Sequence, residues 1–281
     1  MIDQYAVMGN PIAHSRSPLI HEAFARQQDQ QMQYQAIEVA LDEFEQQVQQ
    51  FLEGTGKGLN ITVPFKERAW ALAQHRTVRA EQAGAVNTLW CDDEGTLYGD
   101  NTDGIGLVTD LTNNHGICLD NARILMLGAG GAVRGVLQPL IESGCKEIMI
   151  VNRTAEKAVQ LATHFQQAFP TNISLKAGGY DDLMASDPYD VIINGTSASL
   201  QGSLPPIDTS VVSAHSICYD MMYGAKLTPF CQWAIDHSAS RAIDGLGMLV
   251  EQAAEAFLCW RGVRPDTAPV IALLRQSLGH Q

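Results

Sequence analysis

The sequence carries little positive charge for its length. Its 281 residues include 18 Lys and Arg against 31 Asp and Glu, which gives a formal net charge of −13. Nucleic acids and acidic membrane surfaces both require a basic footprint on the protein that binds them. The charge balance therefore argues against broad binding to either, and an anionic ligand must be held by local groups.

Membrane, metal and disulfide signatures are also missing. No apolar run reaches the roughly 18 residues of a transmembrane helix, and the first residues lead into a strand-like run with no basic stretch or signal-like segment. We therefore expect a soluble, cytoplasmic protein. The six cysteines form no C-x-x-C pair and the eight histidines show no metal-binding spacing, so we expect reduced thiols and no metal site.

The chain does contain a regular alternation of short apolar runs and helix-like stretches. Strands are predicted at 6–8, 33–39, 58–63, 85–90, 123–127, 147–151, 173–177, 190–194 and 216–220. Helices are predicted between the early strands at 17–28, 42–53 and 65–75, and an amphipathic helix is predicted at 246–260. This alternation predicts an α/β fold built from βαβ units with mostly parallel strands.

The strongest local motif is Gly128-Ala129-Gly130-Gly131-Ala132, directly after the buried strand 123–127. Glycines permit a tight turn there, and they let backbone N–H groups approach a pyrophosphate at the positive end of the following helix. A position between a strand and a helix is where a dinucleotide fingerprint belongs, although a glycine turn without a ligand has the same pattern. The third glycine position of the fingerprint is occupied by Val133.

The end of the next strand indicates which dinucleotide binds. NAD-specific sites usually place Asp or Glu there to hold the ribose 2′-hydroxyl. Here the strand is followed by Asn152, Arg153 and Thr154, with Lys157 one turn later. Arg153 suits bidentate contact with a 2′-phosphate and Lys157 adds a point charge, so NADP is the expected cofactor. The alternative is an ordinary solvated start of a helix.

Further polar residues follow the early strands. Ser15 and Ser17 lie beside a predicted helix N-terminus that could cradle a carboxylate, although Ser17 alone is typical of an N-cap before a proline. Pro64 suits the first position of the next helix, which places Lys66 in the first turn. The helix macrodipole disfavours a cation there and is expected to make the lysine release its proton more easily, which favours proton transfer near neutral pH. The alternative is an ordinary solvated lysine.

Two more polar positions complete this predicted cluster. Asn87 is predicted to end a third strand, and Asp103 to cap the apolar helix that follows it. The carboxyl ends of strands in an open α/β sheet gather at one crevice. We therefore expect Thr62, Lys66, Asn87 and Asp103 to converge there together with Ser15.

The sequence motifs of this chain, taken in order, resemble those of the shikimate dehydrogenase family over nearly the whole chain. The matching motifs lie at 9–18, 60–66, 84–88, 99–104, 128–132, 152–154, 219–223 and 244–252. The resemblance implies two α/β domains with a cleft between them. One is a discontinuous substrate-binding domain, 1–102 plus 245–281, and the other is a Rossmann-type doubly wound NADP-binding domain, 103–244.

The resemblance also implies NADPH-dependent, reversible reduction of 3-dehydroshikimate to shikimate, on the pathway to chorismate and the aromatic amino acids. Ser15 and Ser17 would hold the substrate carboxylate, and Lys66, paired with Asp103, would be the acid/base group. The remaining substrate contacts would come from Thr62, Asn87, Asp103, Tyr223 and Gln252. The cofactor contacts would come from the glycine loop 128–132 and from Asn152, Arg153, Thr154 and Lys157, with Met221 and Gly245 near the nicotinamide.

Three positions depart from the family pattern. Lys157 stands in place of an arginine, Val78 in place of an acidic residue, and Gly195 in place of the usual alanine. Two other functions stay open: a quinate/shikimate dehydrogenase of broader specificity, and a non-catalytic NADP-binding regulator. We expect a monomer or a homodimer.

Overall fold

The computed structural model describes residues 2–169, 173–184, 186–199 and 202–279. The chain divides into two compact units. Unit 1 comprises Met1–Gly106 and Leu249–Ala272, and unit 2 comprises Leu107–Met248 and Leu273–Gln281. The domain limits expected from the sequence stay a prediction. Among the described residues, no helix combines the length and apolar character that crossing a bilayer requires.

Unit 1 contains a mixed sheet. Its strands are β1 (Asp3–Gly9), β2 (Met32–Glu38), β3 (Gly56–Ile61), β4 (His75–Arg76), β5 (Thr88–Cys91) and β6 (Leu97–Asp100). Its helices are α1 (Ser17–Gln27), α2 (Phe44–Glu53), α3 (Lys66–Leu72) and α4 (Val78–Ala83), and α5 (Asp103–Thr109) begins in it. Within the described residues the strand order is β2-β1-β3-β5-β6-β4.

The direction of β5 differs from the expected parallel arrangement. β2, β1 and β3 are parallel, whereas β5 runs antiparallel to both β3 and β6. Asn60 of β3 pairs with Thr88, and Thr88 pairs with Asp100 of β6. The amino end of β5 therefore lies beside the carboxyl ends of β3 and β6.

Unit 2 contains a parallel sheet. Its strands are β7 (Arg123–Leu127), β8 (Glu147–Val151), β9 (Ser174–Gly178), β10 (Val191–Asn194), β11 (Ile217–Asp220) and β12 (Arg241–Asp244). Its helices include α6 (Gly131–Glu142), α7 (Ala155–Ala168) and α8 (Pro229–Asp236). The last two helices of the described chain are α9 (Leu246–Arg261) and α10 (Ala268–Gly279).

Alternation along β7 explains why this sheet is covered on both faces. Ile124 and Met126 contribute to one hydrophobic cluster, and Leu125 and Leu127 contribute to another. Successive side chains of a strand point to opposite faces, so an uninterrupted apolar run supplies both cores. The order β12-β11-β10-β7-β8-β9, read in chain order within the unit, is 6-5-4-1-2-3. This is the doubly wound order, with its switch point between β7 and β10.

Candidate active site

An ion pair between Lys66 and Asp103 lies at the carboxyl edge of the sheet of unit 1. Lys66 Nζ donates to Asp103 Oδ2 at 2.6 Å. The side chains are 28% and 14% exposed, so the pair is largely shielded while part of the Lys66 side chain stays accessible. A partly buried ammonium held by a carboxylate is suited to giving a proton to, and taking one from, a bound molecule.

The segment between β3 and α3 fixes the position of Lys66. Val63 and Pro64 are joined by a cis peptide bond, and the backbone N–H of Phe65 donates to the carbonyl of Thr62 at 3.0 Å. Phe65 is fully buried and stacks on Phe44 with ring centroids 4.6 Å apart. The prediction that Pro64 begins the helix is wrong: Phe65 is the cap residue and Lys66 is the first helical residue. Lys66 lies in the first turn, as predicted.

Asn87 connects Asp103 to the rest of the site. Its Nδ2 donates to Asp103 Oδ1 at 2.8 Å and to Thr102 Oγ1 at 3.0 Å, and it lies 3.4 Å from Gln252 Oε1. Its Oδ1 accepts from the backbone N–H of Thr102 at 3.0 Å. Asn87 is only 2% exposed, and these hydrogen bonds engage both the nitrogen and the oxygen of its amide. Sequence reasoning did not single out Thr102, although it stands next to Asp103 in the same motif.

Asn87 reaches this edge by a different route from the predicted one. It was expected to end a strand, but it immediately precedes β5. Because β5 is antiparallel to β3 and β6, its amino end meets their carboxyl ends. Asp103 was expected to be the N-cap residue of the next helix, but it is the first residue of α5. Its carboxylate accepts hydrogen bonds from Lys66 and Asn87.

The two serines and Thr62 follow neighbouring parallel strands. Ser15 and Ser17 come after β1, and Thr62 comes directly after β3. The backbone N–H of Thr62 donates to the carbonyl of Met8 at 3.0 Å. The ends of the strands approach so closely that a Cβ on Gly9 would lie 2.4 Å from Thr62 Cγ2. These residues therefore share the same edge of the sheet as Lys66.

Ser17 is not a side-chain cap. The cap residue of α1 is Arg16, and the Ser15 hydroxyl accepts from the backbone N–H of Ser17 at 3.3 Å. Ser17 is buried beside the hydroxyl of Tyr34. Burial raises the pKa of Tyr34 well above its ordinary value, with the side chain of Ser17 opposing that rise.

Behind these residues lies Asn60, a buried amide for which the sequence analysis proposed no role. Its Oδ1 accepts from the hydroxyl of Tyr34 at 2.7 Å and contacts His21 Nε2 at 3.1 Å. Its Nδ2 donates to the backbone carbonyl of Asn87 and to Thr88 Oγ1, both at 3.2 Å. A polar residue inside the apolar run of β3 was the sequence signal for this network, because buried amides are retained where their hydrogen bonds are satisfied.

The glycine loop of unit 2 forms a tight turn between β7 and α6. Gly128 has a φ of +104°, which favours glycine, and its N–H donates to the carbonyl of Val151 at 2.7 Å. Apart from the adjacent backbone, no described residue has an atom within 4 Å of a Cβ built on Gly130 or Gly131, so the described residues leave space beside the N-terminus of α6. Ala132 continues the first turn of α6. Open space next to unpaired helix N–H groups fits a phosphate group.

The residues predicted to bind the 2′-phosphate follow β8. Asn152 is partly buried, and its Nδ2 donates to the carbonyl of Thr154 at 3.0 Å. Arg153 and Lys157 are exposed. Thr154 precedes α7, whose positive end adds to the local potential. This edge of unit 2 thus offers two accessible cations in a protein of net charge −13.

Met221 and Gly245 lie side by side after β11 and β12. The backbone N–H of Gly245 donates to the carbonyl of Met222 at 3.0 Å, and a Cβ on Gly245 would lie 2.3 Å from the carbonyl oxygen of Met221. Only glycine allows this approach. The nearby Asp220 is fully buried; burial raises its pKa, and hydrogen bonds from Thr228 and Asn194 oppose the rise. Tyr223, further along the same segment, is half-buried.

The doubly wound order of the parallel sheet, the left-handed glycine turn and the open helix N-terminus define a Rossmann-type dinucleotide-binding protein. Three family models match the chain: the shikimate dehydrogenase substrate binding domain at 7–89, shikimate/quinate 5-dehydrogenase at 110–201 and the shikimate 5′-dehydrogenase C-terminal domain at 245–275. The chain is 55% identical to a shikimate dehydrogenase (NADP⁺) from Marinobacter nauticus, over 97% of this chain and 98% of that one. The chain therefore belongs to the shikimate dehydrogenase family.

Solved structures share the fold of this chain. An Ael1 enzyme from Pseudomonas putida is 47% identical, with a TM-score of 0.90 over 97% of this chain and 98% of that one. A shikimate 5-dehydrogenase from Thermus thermophilus, solved in complex with NADP(H) and shikimate, is 29% identical, with a TM-score of 0.85 over 99% of this chain and 100% of that one.

Proposed function

We propose that this chain catalyses the NADPH-dependent reduction of 3-dehydroshikimate to shikimate, and the reverse oxidation. The proposal is supported by membership of the family and by NADP in the name of the Marinobacter relative. The observation that carries it is the 2.6 Å contact between Lys66 Nζ and Asp103 Oδ2 at the edge where Asn87 and the two serines also lie. The reaction is a step towards chorismate and the aromatic amino acids.

Reduction of a ketone places negative charge on its oxygen. NADPH, when bound, supplies the hydride. The ammonium of Lys66 stabilises the developing charge on the substrate oxygen and then donates a proton to it. Asp103 keeps Lys66 oriented through the hydrogen bond at Oδ2, and Asn87 holds the other oxygen of the same carboxylate at 2.8 Å.

Substrate binding is assigned to polar side chains at and around this pair. Ser15 and Ser17 hold the carboxylate, and the other contacts to the hydroxyls and the ring edge are those of Thr62, Asn87, Asp103, Tyr223 and Gln252. Hydroxyl donors hold an anion without adding a permanent charge to the site. A loss of one such donor is expected to weaken binding more than turnover.

Cofactor binding is assigned to unit 2. The N–H groups of the loop from Gly128 to Ala132 hold the pyrophosphate, and Asn152, Arg153, Thr154 and Lys157 hold the adenosine side, with Met221 and Gly245 beside the nicotinamide. Arg153 forms the bidentate contact to the 2′-phosphate, and Lys157, where the family has arginine, contributes a single point charge.

A four-way assay tests this function. Shikimate or quinate is combined with NADP or NAD, and formation of the reduced nicotinamide is followed by absorbance. We expect turnover mainly with shikimate and NADP. Comparable rates with quinate or NAD would instead support a dehydrogenase of broader specificity. A chain that binds NADP but turns over none of the four pairs would be a regulator.

The catalytic role of Lys66 is tested in the same assay. Lys66→Ala is expected to lower kcat by about 10²- to 10⁴-fold, with a much smaller effect on the KM for shikimate, because the lost proton transfer belongs to the transition state. Lys57→Ala is the control, since Lys57 is exposed at the opposite end of β3. An intact kcat with a raised KM would contradict the assignment of Lys66 as the proton donor.

A further inference from the structure

Gly195 packs against the first turns of α6. It follows β10, and its backbone N–H donates at 2.9 Å to the carbonyl of Leu127, the last residue before the glycine loop. A Cβ built on Gly195 would lie 2.4 Å from Val133 Cγ2, far inside van der Waals contact. The same Cβ would lie 3.2 Å from Met221 Sδ and 3.4 Å from the carbonyl oxygen of Leu127. Any larger residue at 195 must therefore displace its neighbours.

Val133 has little freedom to give way. It is fully buried, and a β-branched side chain in a helix strongly prefers one rotamer. Val133 also stands where the dinucleotide fingerprint places its third glycine, whose role is close packing of the helix on the strands. The extra volume of Val133 is accommodated on the side of Gly195, where the side chain is missing. The valine at 133 and the glycine at 195, both departures from the expected sequence pattern, thus compensate each other in volume.

The loop that contains Gly195 also touches the glycine turn itself. A Cβ on Gly128 would lie 3.2 Å from Thr196 Cγ2. Thr196 is held in place because both its hydroxyl and its backbone N–H donate to Asn194 Oδ1, at 2.7 and 3.1 Å. A displacement at Gly195 would therefore be transmitted to the turn at Gly128 as well as to the start of α6.

We propose that Gly195 and Val133 are a matched pair that positions the dinucleotide-binding loop, with Gly195 acting as a positioning residue for NADP. The inference rests on the proposed function, because it assigns the loop to that cofactor. An alanine at 195 would push the N-terminus of α6 away from the strand ends. The N–H groups that hold the pyrophosphate would then lose their alignment, while the Lys66 pair of unit 1 would be untouched.

The test compares four variants with the wild-type protein: Gly195→Ala, Val133→Ala, the double variant, and Val136→Ala combined with Gly195→Ala. NADP affinity is measured by calorimetry, and KM and kcat are measured for both substrates. Gly195→Ala is expected to weaken NADP binding about tenfold or more, since overpacking a buried contact forces its neighbours to shift. Val133→Ala removes the clash, so the double variant should bind NADP within about twofold of Val133→Ala alone.

Val136 is the control for the specificity of the rescue. It is also a fully buried valine of α6, but the atoms nearest to the Cβ position of Gly195 belong to other residues. Val136→Ala should leave the defect of Gly195→Ala in place. If Gly195→Ala does not fold, the comparison of Val133→Ala with the double variant decides: a weaker double variant would overturn the proposal.

Two other results would also overturn it: wild-type affinity in Gly195→Ala, or equal rescue by Val136→Ala and Val133→Ala. Failure of the proposed function gives a different result, because the wild-type protein would then bind no NADP or turn over no shikimate. A general loss of stability is also distinguishable. It would lower the fraction of active enzyme, and so the apparent kcat, without changing either KM, whereas the paired role raises the KM for NADP selectively.

Discussion

His21 is a buried histidine of unit 1, and lowering the pH tests how much its burial contributes to the free energy of unfolding. Its ring is fully buried, stacks on Tyr34 with centroids 4.2 Å apart and packs against Phe257 and Trp260. Burial lowers the pKa of His21 to about 3, with the hydrogen bond to Asn60 opposing the shift. The second ring nitrogen, Nδ1, is buried and has no hydrogen-bond partner among the described residues, so a second proton on the ring would meet no acceptor there.

The sign and size of the effect follow from the two protonation states. The unfolded chain takes up the proton at the ordinary pKa of 6.5, whereas the folded chain takes it up only near pH 3. Acid therefore favours the unfolded state. The contribution of neutral His21 to the free energy of unfolding is fully present above pH 6.5 and is lost progressively as the pH falls towards 3. Between pH 7 and pH 5, His21 alone should cost about 2 kcal/mol of the free energy of unfolding.

The assay is urea unfolding at pH 7 and pH 5, compared between the wild-type protein and His21→Phe. Phenylalanine keeps an aromatic ring in the stack but cannot be protonated, so the variant should lose about 2 kcal/mol less than wild type on acidification. Comparison of the two proteins cancels the contribution of His115, whose pKa is also lowered by burial. His164→Gln, at an exposed site on α7, should keep the wild-type difference. Equal losses in wild type and His21→Phe would refute the reasoning.

Two further substitutions test the cofactor site and the scaffold. Arg153→Ala should raise the KM for NADP by about 10- to 100-fold and leave that for NAD nearly unchanged, because only NADP carries the 2′-phosphate; an equal rise for both would contradict the assigned contact. Arg79→Met should lower the free energy of unfolding by about 3 kcal/mol, measured by urea titration, because the nearly fully buried Asp100 loses a bidentate partner at 2.7 and 2.5 Å. Exposed Arg26, paired with Glu22 across one helical turn, is the control, and a similar loss in Arg26→Met would contradict this explanation.

The strands of the second sheet were predictable where burial makes a strand continuous and apolar. The predicted limits of 123–127 and 147–151 coincide with β7 and β8, and the next three strands agree within one residue. β12 was missed because Arg241–Asp244 contains a single buried apolar residue, Ile243. Its pairing with β11 supplies what the local sequence lacks.

For the site, the sequence motifs predicted the residues but not the strand topology that brings them together. The motifs named Lys66, Asn87 and Asp103, and the structure brings these three into direct contact. The strand direction that brings Asn87 there was not predictable, because a short, largely apolar run such as that of β5 does not show in which direction the strand runs beside its neighbours. Asn87 was therefore placed at the end of a strand, although it lies before β5.

The hydrogen-bond network behind the proposed carboxylate site is uncharged. Asn60 Nδ2 donates to a backbone carbonyl, which fixes the amide orientation, so Oδ1 must accept the proton of His21 Nε2. Tyr34 donates to the same oxygen and contacts Ser17. The pKa of His21 is about 3 and that of Tyr34 is well above 10, so every member of the network is neutral at physiological pH. Ser17 is therefore supported by fixed dipoles that neither repel an anion nor change charge when the pH varies around neutrality.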